Sequence, residues 1–327
     1  MKKLKVAFFG TSDRSVPILN TLHENFDLVL CVTKSDVTFG RHQDKKPTGV
    51  KKWAQENGVK FVTIDSFKAK GNDEDDAGSG ANSGLEKVLS QLRSVNVQYG
   101  IVADFSFIIP NELIEFFDKK LLNIHFSLLP KYRGASPVQS AILNGDEVTG
   151  VTYQLVAEKL DAGDIISQIG YNVTSAETSG DLYRILFELS AENLPKVLEE
   201  YHEGRCNLIK QDEEAASYSL SPSHPKSTYI FKEDALINWK EAADVVERKV
   251  RAYNPWPIAW TYLKELEKNK RLAHKVVLKK HVDKELKVKI FEIEINEDKK
   301  LLIETLQVEG KSKFSWNDFN NGYLEIA

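Results

Sequence analysis

The 327-residue sequence predicts an α/β protein with a doubly wound, mostly parallel, Rossmann-like sheet, followed by a small OB-like β-barrel domain. In the first part of the chain, short apolar strands alternate with amphipathic helices, which is typical of a parallel sheet with helical crossovers. Short strands joined by turns recur near the C-terminus, as in small barrels. A stretch rich in serine, proline and acidic residues separates the two patterns and predicts a linker. We therefore expect domains at 1–209 and 229–327, with a linker at 210–228.

Composition and charge narrow the class of protein. A hydrophobic fraction of 42% and a charged fraction of 28% are those of a globular protein with a sizeable core. No apolar run approaches the roughly 20 residues of a membrane span, so we expect no membrane partner. The apolar run after Lys2 and Lys3 is too short for a signal peptide, which favours a cytoplasmic location. Cys31 and Cys206 show no metal-type spacing, and Cys31 fits a core position.

The first β-α-β unit is the clearest local pattern. Strands at Lys5–Phe9 and Leu28–Thr33 flank a helix that carries Val16, Leu19 and Leu22 on one side. The turn Gly10-Thr11-Ser12 resembles a nucleotide-binding loop, but it has a single glycine and lacks the G-x-G-x-x-G fingerprint. A nicotinamide cofactor is therefore not expected. The following segment, Lys34–Gly49, is predicted to be a polar loop.

Periodicity and capping residues predict the remaining elements. Pro195 is a possible kink in the longest helix, and Thr178 with Asp181 forms a candidate capping box before it. The segment Gly71–Gly84 has no apolar residue larger than alanine, so we expect a disordered surface insertion. The expected helices are 50–57, 85–92, 138–143, 182–201 and 245–252, and the expected strands are 59–64, 99–103, 121–126, 151–156, 275–278, 286–295 and 300–305.

Two polar side chains interrupt the apolar strand at Leu121–Phe126. Asn123 and His125 are two residues apart, so in a strand they leave the same face. Polar groups on a buried strand are costly unless they are paired or used. Downstream, Asp161 lies on a predicted tight turn between two strands. An amide, an imidazole and a carboxylate are a workable set for acyl chemistry.

The run NIHFSLLP at 123–130, with Gly134 and with LDAG at 160–163, resembles the folate-dependent formyltransferases. The resemblance implies transfer of a formyl group from 10-formyltetrahydrofolate to an amine, with Asn123, His125 and Asp161 as the catalytic residues. Asn123 and His125 would stabilise the oxyanion, and Asp161 would orient the imidazole and stabilise its charged form. This chemistry requires no metal.

The resemblance also implies a folate pocket, and this chain departs from the family pattern at its borders. Asp104–Phe107 replaces the Ala-Tyr-Gly that usually precedes a hydrophobic pair and proline, while Ile108-Ile109-Pro110 is kept. Leu155–Lys159 lacks the Gln-Met-Asp pattern common before LDxG. The expected folate-binding residues are Phe107, Ile108, Ile109, Ser127, Leu128, Leu129, Pro130, Leu160 and Gly163.

Two further motifs resemble the methionyl-tRNA formyltransferases. Phe39-Gly40-Arg41 through Pro47 resembles an insertion of that family that enters beside the acceptor stem, and RAYNPWP at 251–257 resembles the start of its C-terminal domain. Lys268–Lys289 contains 9 basic and 2 acidic residues, although the whole chain has a net charge of -4. A local basic patch of this kind suits phosphate contact. The resemblance implies a monomeric enzyme of translation initiation that binds initiator methionyl-tRNA. The expected substrate-binding residues are Gly10, Thr11, Ser12, Arg41, Lys45, Lys46, Arg251, Lys275 and Lys279.

Two alternatives remain open at the level of the sequence. An amino-sugar-nucleotide N-formyltransferase would carry a nearly identical catalytic motif, and the Arg41 loop with the NPWP run argues for tRNA instead. A non-catalytic RNA- or folate-binding descendant would tolerate the altered Asp104–Phe107 loop. The intact Asn123, His125 and Asp161 argue against that second alternative.

Overall fold

The structure is a computed structural model that describes residues 3–39, 44–67, 84–267 and 269–325. The expectations for Arg41, for 71–83 and for Lys268 lie outside these ranges. The chain divides into two compact units. The first comprises Met1–Arg133, Gly150–Tyr171 and Arg184–Ala216, and the second comprises Gly134–Thr149, Asn172–Tyr183 and Ser217–Ala327. The expected domain boundaries at 209 and 229 remain a prediction.

A seven-stranded sheet forms the centre of the first unit, with strand order β5-β2-β1-β6-β7-β8-β9. The five strands from β5 to β7 are mutually parallel, and β8 runs antiparallel to β7. The predicted mostly parallel sheet is therefore confirmed. The strands are β1 (Lys5–Phe9), β2 (Asp27–Lys34), β5 (Phe61–Ile64), β6 (Tyr99–Val102), β7 (Leu121–His125), β8 (Val148–Leu155) and β9 (Ile165–Asn172).

Helices connect these strands, and α2 and α6 each begin after a residue whose side chain caps the helix. Thr48 caps α2 by accepting a hydrogen bond from Lys51 N. The predicted capping box is confirmed, because Asp181 N donates to Thr178 Oγ1 and Thr178 N donates to Asp181 Oδ2. The helices are α1 (Val16–Asn25), α2 (Gly49–Glu56), α3 (Gly84–Val95), α4 (Asn111–Phe117), α5 (Pro137–Asn144) and α6 (Ser179–His202).

All four residues of β6 are buried, as expected for a central parallel strand covered on both faces. Cys31 is fully buried in the neighbouring β2, and burial raises the pKa of its thiol to about 12. It is a core residue, as predicted. The prediction of a polar loop at Lys34–Gly49 is wrong, because β3 (Val37–Phe39) and β4 (Asp44–Lys46) pair antiparallel within it. Val37 and Thr38 favour strand structure. The segment as a whole is polar, so its composition predicted a loop.

The second unit contains a four-stranded antiparallel sheet in the order β10-β11-β12-β13. Its helices and strands after residue 240 are α7 (Ala243–Ala252), β10 (Ala259–Tyr262), α8 (Leu263–Glu267), β11 (Lys287–Ile295), β12 (Leu301–Val308), β13 (Phe314–Ser315) and α9 (Trp316–Tyr323). Buried side chains from β11, β12 and α9, including Ile290, Leu306 and Phe319, build its core. The predicted strand at Lys275–Leu278 is wrong, because this segment makes a single bridge, from Leu278 to Leu324.

Candidate active site

Strand β7 presents the two polar side chains singled out above at the carboxyl end of the parallel sheet. Asn123 is partly buried, and His125 is 5% exposed. Across the strand pair, Asn123 lies opposite Gln154 and His125 lies opposite Thr152. The carboxyl ends of parallel strands are where open α/β sheets bind ligands, so these side chains occupy the expected edge.

Asp161 joins this pair from the turn between β8 and β9. Its Oδ1 accepts hydrogen bonds from Asn123 Nδ2 at 3.2 Å and from Gln154 Nε2 at 3.1 Å. Its Oδ2 lies 3.6 Å from His125 Nδ1. The prediction that Asn123, His125 and Asp161 converge is therefore confirmed, and Gln154 is a fourth polar member of the group.

The hydrogen bonds of His125 define its protonation pattern. Nε2 lies 2.9 Å from the backbone carbonyl oxygen of Tyr132. A carbonyl oxygen only accepts, so Nε2 carries the hydrogen in this contact. Nδ1 is then the ring nitrogen that faces the Asp161 carboxylate, 3.6 Å away. The arrangement can donate a hydrogen bond to an oxygen on which negative charge develops.

The segment after β7 is held by the two following strands. Thr152 Oγ1 donates to Ser127 O at 2.6 Å and accepts from Leu129 N at 3.1 Å. Gln168 Nε2 donates to Leu129 O at 2.8 Å. Among the expected folate-binding residues, Ser127 and Leu129 are buried, and the Ser127 hydroxyl donates to Lys131 O. Leu128 and Pro130 are partly exposed, so they are the members of this segment that can face a ligand.

The LDAG turn depends on its glycine. A Cβ at Gly163 would lie 1.8 Å from the carbonyl oxygen of Leu155, which no side chain tolerates. The adjacent Leu160 is 46% exposed. Gly163 therefore shapes the turn, and Leu160 is accessible to a ligand.

The expected amine-binding loop at the end of β1 is bonded to the loop that follows β6. Ser12 Oγ and Arg14 Nη2 both donate to Asp104 Oδ2, Arg14 at 2.8 Å. Thr11 Oγ1 accepts from Ser106 N at 3.2 Å. A Cβ at Gly10 would lie 2.9 Å from Ala103 O, so this glycine permits close approach of the two loops. Asp104, where this chain departs from the family pattern, is thus the residue that ties them together.

The same departure creates a cluster of aromatic rings. Phe105 and Phe107 have centroids 5.4 Å apart, and each lies about 6 Å from Phe67, at 6.0 and 5.9 Å. Edge-to-face contacts of this kind hold rings in place. Of the expected folate residues here, Ile109 is partly buried, whereas Ile108 is 82% exposed.

The expected RNA-binding cations differ in their surroundings. Lys45, Lys46 and Lys275 are exposed. Arg251 is 15% exposed and pairs with Glu247 through Nε and Nη2, while its Nη1 donates to Glu177 O. Lys279 Nζ donates to the backbone carbonyls of Asn321 and Gly322. Arg251 and Lys279 are therefore engaged within the second unit.

Sequence reasoning missed three residues beside the group formed by Asn123, His125 and Asp161, namely Arg133, Gln154 and Gln211. All three are almost fully buried, with exposed fractions of 0%, 1% and 6%. Gln154 directly precedes the segment 155–159 that departs from the family pattern, and Gln211 falls at the start of the expected linker. Burying such polar groups costs free energy unless they are hydrogen-bonded, so their burial would have marked them as candidates. The local sequence does not show that these residues are buried.

Among the residues that the structure describes, no set of three or more His, Cys, Asp or Glu side chains is placed to hold a metal ion. No helix within the same ranges has the length and apolarity needed to cross a membrane.

Comparison with known proteins agrees with this geometry. Residues 3–198 match the family described as formyl transferase, and residues 229–324 match the formyl transferase C-terminal domain. The methionyl-tRNA formyltransferase of Bacillus thuringiensis is 32% identical over 324 residues, 98% of this chain and 96% of that protein. That of Bacillus cytotoxicus is 36% identical over 261 residues, 80% of this chain and 76% of that protein.

Two solved structures share the fold. The methionyl-tRNA formyltransferase of Clostridium thermocellum superposes with a TM-score of 0.56 at 14% identity, covering 93% of this chain and 98% of its own. WlaRD, a sugar 3N-formyl transferase, superposes with a TM-score of 0.57 at 20% identity, covering 95% of this chain and all of its own. With two matched regions, full-length relatives and the convergent Asn, His and Asp, the chain belongs to the formyltransferase family.

Proposed function

We propose that this protein is an enzyme of translation initiation that transfers the formyl group of 10-formyltetrahydrofolate to the α-amino group of initiator methionyl-tRNA. The single observation that carries the reaction type is the convergence of Asn123, His125 and Asp161 at one edge of the sheet. The substrate follows from the full-length relatives, which are methionyl-tRNA formyltransferases.

The hydrogen-bond donors of Asn123 and His125 suit the oxygen of a formyl group. When bound, the folate supplies an activated formyl carbon for attack by the neutral amine. The amide of Asn123 and the imidazole of His125 then stabilise the negative charge that develops on the formyl oxygen. The new bond joins the amine nitrogen to the formyl carbon, the bond to the folate nitrogen breaks, and the proton lost by the amine balances the one taken up by that nitrogen. Asp161 holds the imidazole and stabilises its positive charge during these steps.

Binding of tRNA is supported by one face of the second unit. The register of β10 and β11 pairs Trp260 with Lys289 and Tyr262 with Lys287 on the same face. Lys287 Nζ lies 4.7 Å from the centroid of the Trp260 ring. The opposite face is buried in the core through Val288 and Ile290. A surface that alternates lysines with aromatic rings suits contact with phosphates and unpaired bases.

Arg41 remains part of the proposal on sequence grounds. Arginine pairs bidentately with phosphate or stacks on an unpaired base. Arg41→Ala is therefore expected to reduce formylation of methionyl-tRNA while sparing a small amine surrogate. The exposed Lys45 and Lys46 provide further positive charge two to three residues before Thr48, the N-cap of α2.

One assay tests both the reaction and the substrate. Purified protein and 10-formyltetrahydrofolate are incubated with methionyl-tRNA or, separately, with an amino-sugar nucleotide, and each product is quantified by mass. Faster formylation of methionyl-tRNA supports the proposal. Faster formylation of the sugar nucleotide would overturn the substrate and leave the reaction type intact, and formylation of neither would contradict an enzymatic role.

A further inference from the structure

The turn that carries Asp161 has an uncommon backbone conformation at that residue. Asp161 has a φ of +50°, which lies in the left-handed region that residues other than glycine adopt uncommonly. Gly163, two residues later, is packed against Leu155 O. The Asp161 carboxylate lies 3.6 Å from His125 Nδ1 only as long as this turn keeps its shape.

Gln211 holds the backbone of this turn directly. Its Nε2 donates to Asp161 O at 2.9 Å and to Gly163 O at 2.8 Å. The same nitrogen lies 3.1 Å from the Oε1 of Gln154, whose own Nε2 donates to the Asp161 carboxylate. Gln211 thus acts on the backbone of Asp161, and Gln154 acts on its side chain. Gln211 also lies between the two regions that match the family, at 3–198 and 229–324.

Arg133 determines which way the Gln211 amide faces. Arg133 Nε and Nη2 donate to Gln211 Oε1 at 3.0 and 2.8 Å. Because a guanidinium has only donors, the amide oxygen must face Arg133 and the amide nitrogen must face the turn. The other side of the guanidinium pairs with Glu213, through Nη2 and Oε1 at 2.8 Å and Nη1 and Oε2 at 3.2 Å. The amide is therefore oriented before any substrate binds.

We propose that Gln211 is a positioning residue of the formyl transfer, which acts through the Asp161 turn to keep the carboxylate against His125. The inference rests on the proposed function and deepens it, because it adds to the proposed active site a residue that lies after the matched region 3–198. Gln211 contacts no reacting atom in this assignment. Its effect is expected in the turnover step, since misplacing Asp161 changes how well charge is stabilised in the transition state.

Gln211→Glu tests this role with little change in shape. The variant keeps an acceptor for Arg133 but replaces the donating NH2 group by an oxygen that repels the carbonyls of Asp161 and Gly163. We expect kcat to fall on the order of 10²-fold, the loss that follows displacement of a catalytic group by about 1 Å. KM for methionyl-tRNA and for the folate should stay unchanged.

Gln98→Glu is the matched control. Gln98 lies in the same unit, just before β6, and it is exposed. Its Oε1 accepts from Lys5 N at 3.0 Å, a bond that glutamate preserves. The control therefore makes the same change of charge away from the site, and it should keep the wild-type kcat.

A double-mutant cycle with Asp161→Asn separates positioning from general destabilisation. If Gln211 acts through Asp161, Gln211→Glu should lower the single-turnover rate much less in the Asp161→Asn background than in the wild type. Gln211→Met, which keeps the volume and cannot donate, is measured in parallel and decides the question if the glutamate variant does not fold. A wild-type kcat in either folded variant, or equal losses in both backgrounds, would overturn the inference.

The same measurements distinguish this inference from the proposed function. The rate of the wild-type protein with each amine tests the function, and the ratio of variant to wild-type rates tests Gln211 on whichever amine is formylated. A substrate other than methionyl-tRNA would overturn the proposed function while leaving the ratio as the test of Gln211.

Discussion

At the scale of single residues, His125 is the side chain on which the proposed chemistry depends most. Its Nε2 donates to Tyr132 O at 2.9 Å, and its Nδ1 lies 3.6 Å from the Asp161 carboxylate. We predict that His125→Ala lowers kcat by roughly 10²–10³-fold, the loss observed when one oxyanion donor is removed. Formylation kinetics and melting temperature are measured together, with the exposed His202→Ala as control. Turnover near that of the wild type in a folded His125→Ala variant would contradict the assigned role.

Glu213 provides a prediction about pH and stability. Hydrogen bonds from Arg133, and then from Lys159, lower the pKa of its carboxyl to about 2 from an ordinary value of 4.5. An acid whose pKa is lowered by folding stabilises the fold above its ordinary pKa, and this contribution is lost as the pH falls from 4.5 towards 2. Glu213→Gln does not titrate. We therefore predict that its melting temperature lies below that of the wild type at pH 7 and approaches it at pH 3.

Thermal unfolding at pH 7 and pH 3 measures this difference. Glu56→Gln is a suitable control, because Glu56 belongs to an exposed pair with Lys52 at 4.0 Å and such pairs contribute little. The explanation is wrong if Glu213→Gln and the wild type differ by the same number of degrees at both pH values.

At the scale of elements, the chain between β5 and α3 provides a further prediction. The composition of 71–84 predicts no buried apolar surface. The carbonyl oxygen of Ser66 lies 2.0 Å from the position a Cβ would take at Gly84, so the described residues on either side of 68–83 are adjacent. We predict that replacing 68–83 by a short Gly-Ser connection leaves melting temperature and kcat unchanged. A clear loss of either would show that the segment packs or binds.

The elements also show where periodicity is reliable. The predicted helices at 85–92 and 245–252 are confirmed as α3 and α7, and the predicted strands at 286–295 and 300–305 are confirmed as β11 and β12. The two helices repeat apolar residues at helical spacing over about two turns, and 286–295 alternates apolar with charged residues along most of its length. The wrong prediction at 275–278 concerned four residues, too short for alternation to distinguish a strand from an extended loop.

At the scale of the whole molecule, a net charge of -4 means that binding of RNA must come from a local surface. The lysine and aromatic face of β10 and β11 is the proposed surface. We predict that Lys287→Gln with Lys289→Gln weakens methionyl-tRNA binding. The plot of log association constant against log salt concentration should become less steep by about 1.4–1.8, because two fewer counterions are released.

Binding isotherms at several salt concentrations measure this slope. Lys299→Gln with Lys300→Gln is the matched control, since both lysines are exposed between β11 and β12 in the same unit. An equal effect of the two double substitutions would mean that general positive charge, and not this face, attracts the RNA.

The sequence by itself determined the alternation of strands and helices, the strand that carries Asn123 and His125, and the turn that carries Asp161. These features follow from periodicity and from a motif whose residues are close along the chain, so local physics is sufficient. The tertiary structure alone decided that Gln211 holds the Asp161 turn and that Arg133 orients Gln211, contacts that join residues 50 and 78 positions apart. It also decided that Arg251 donates to the backbone oxygen of Glu177, and that Phe105 and Phe107 of the altered loop pack with Phe67. The physical reason is that burial and hydrogen-bond partners depend on which distant segments the fold brings together.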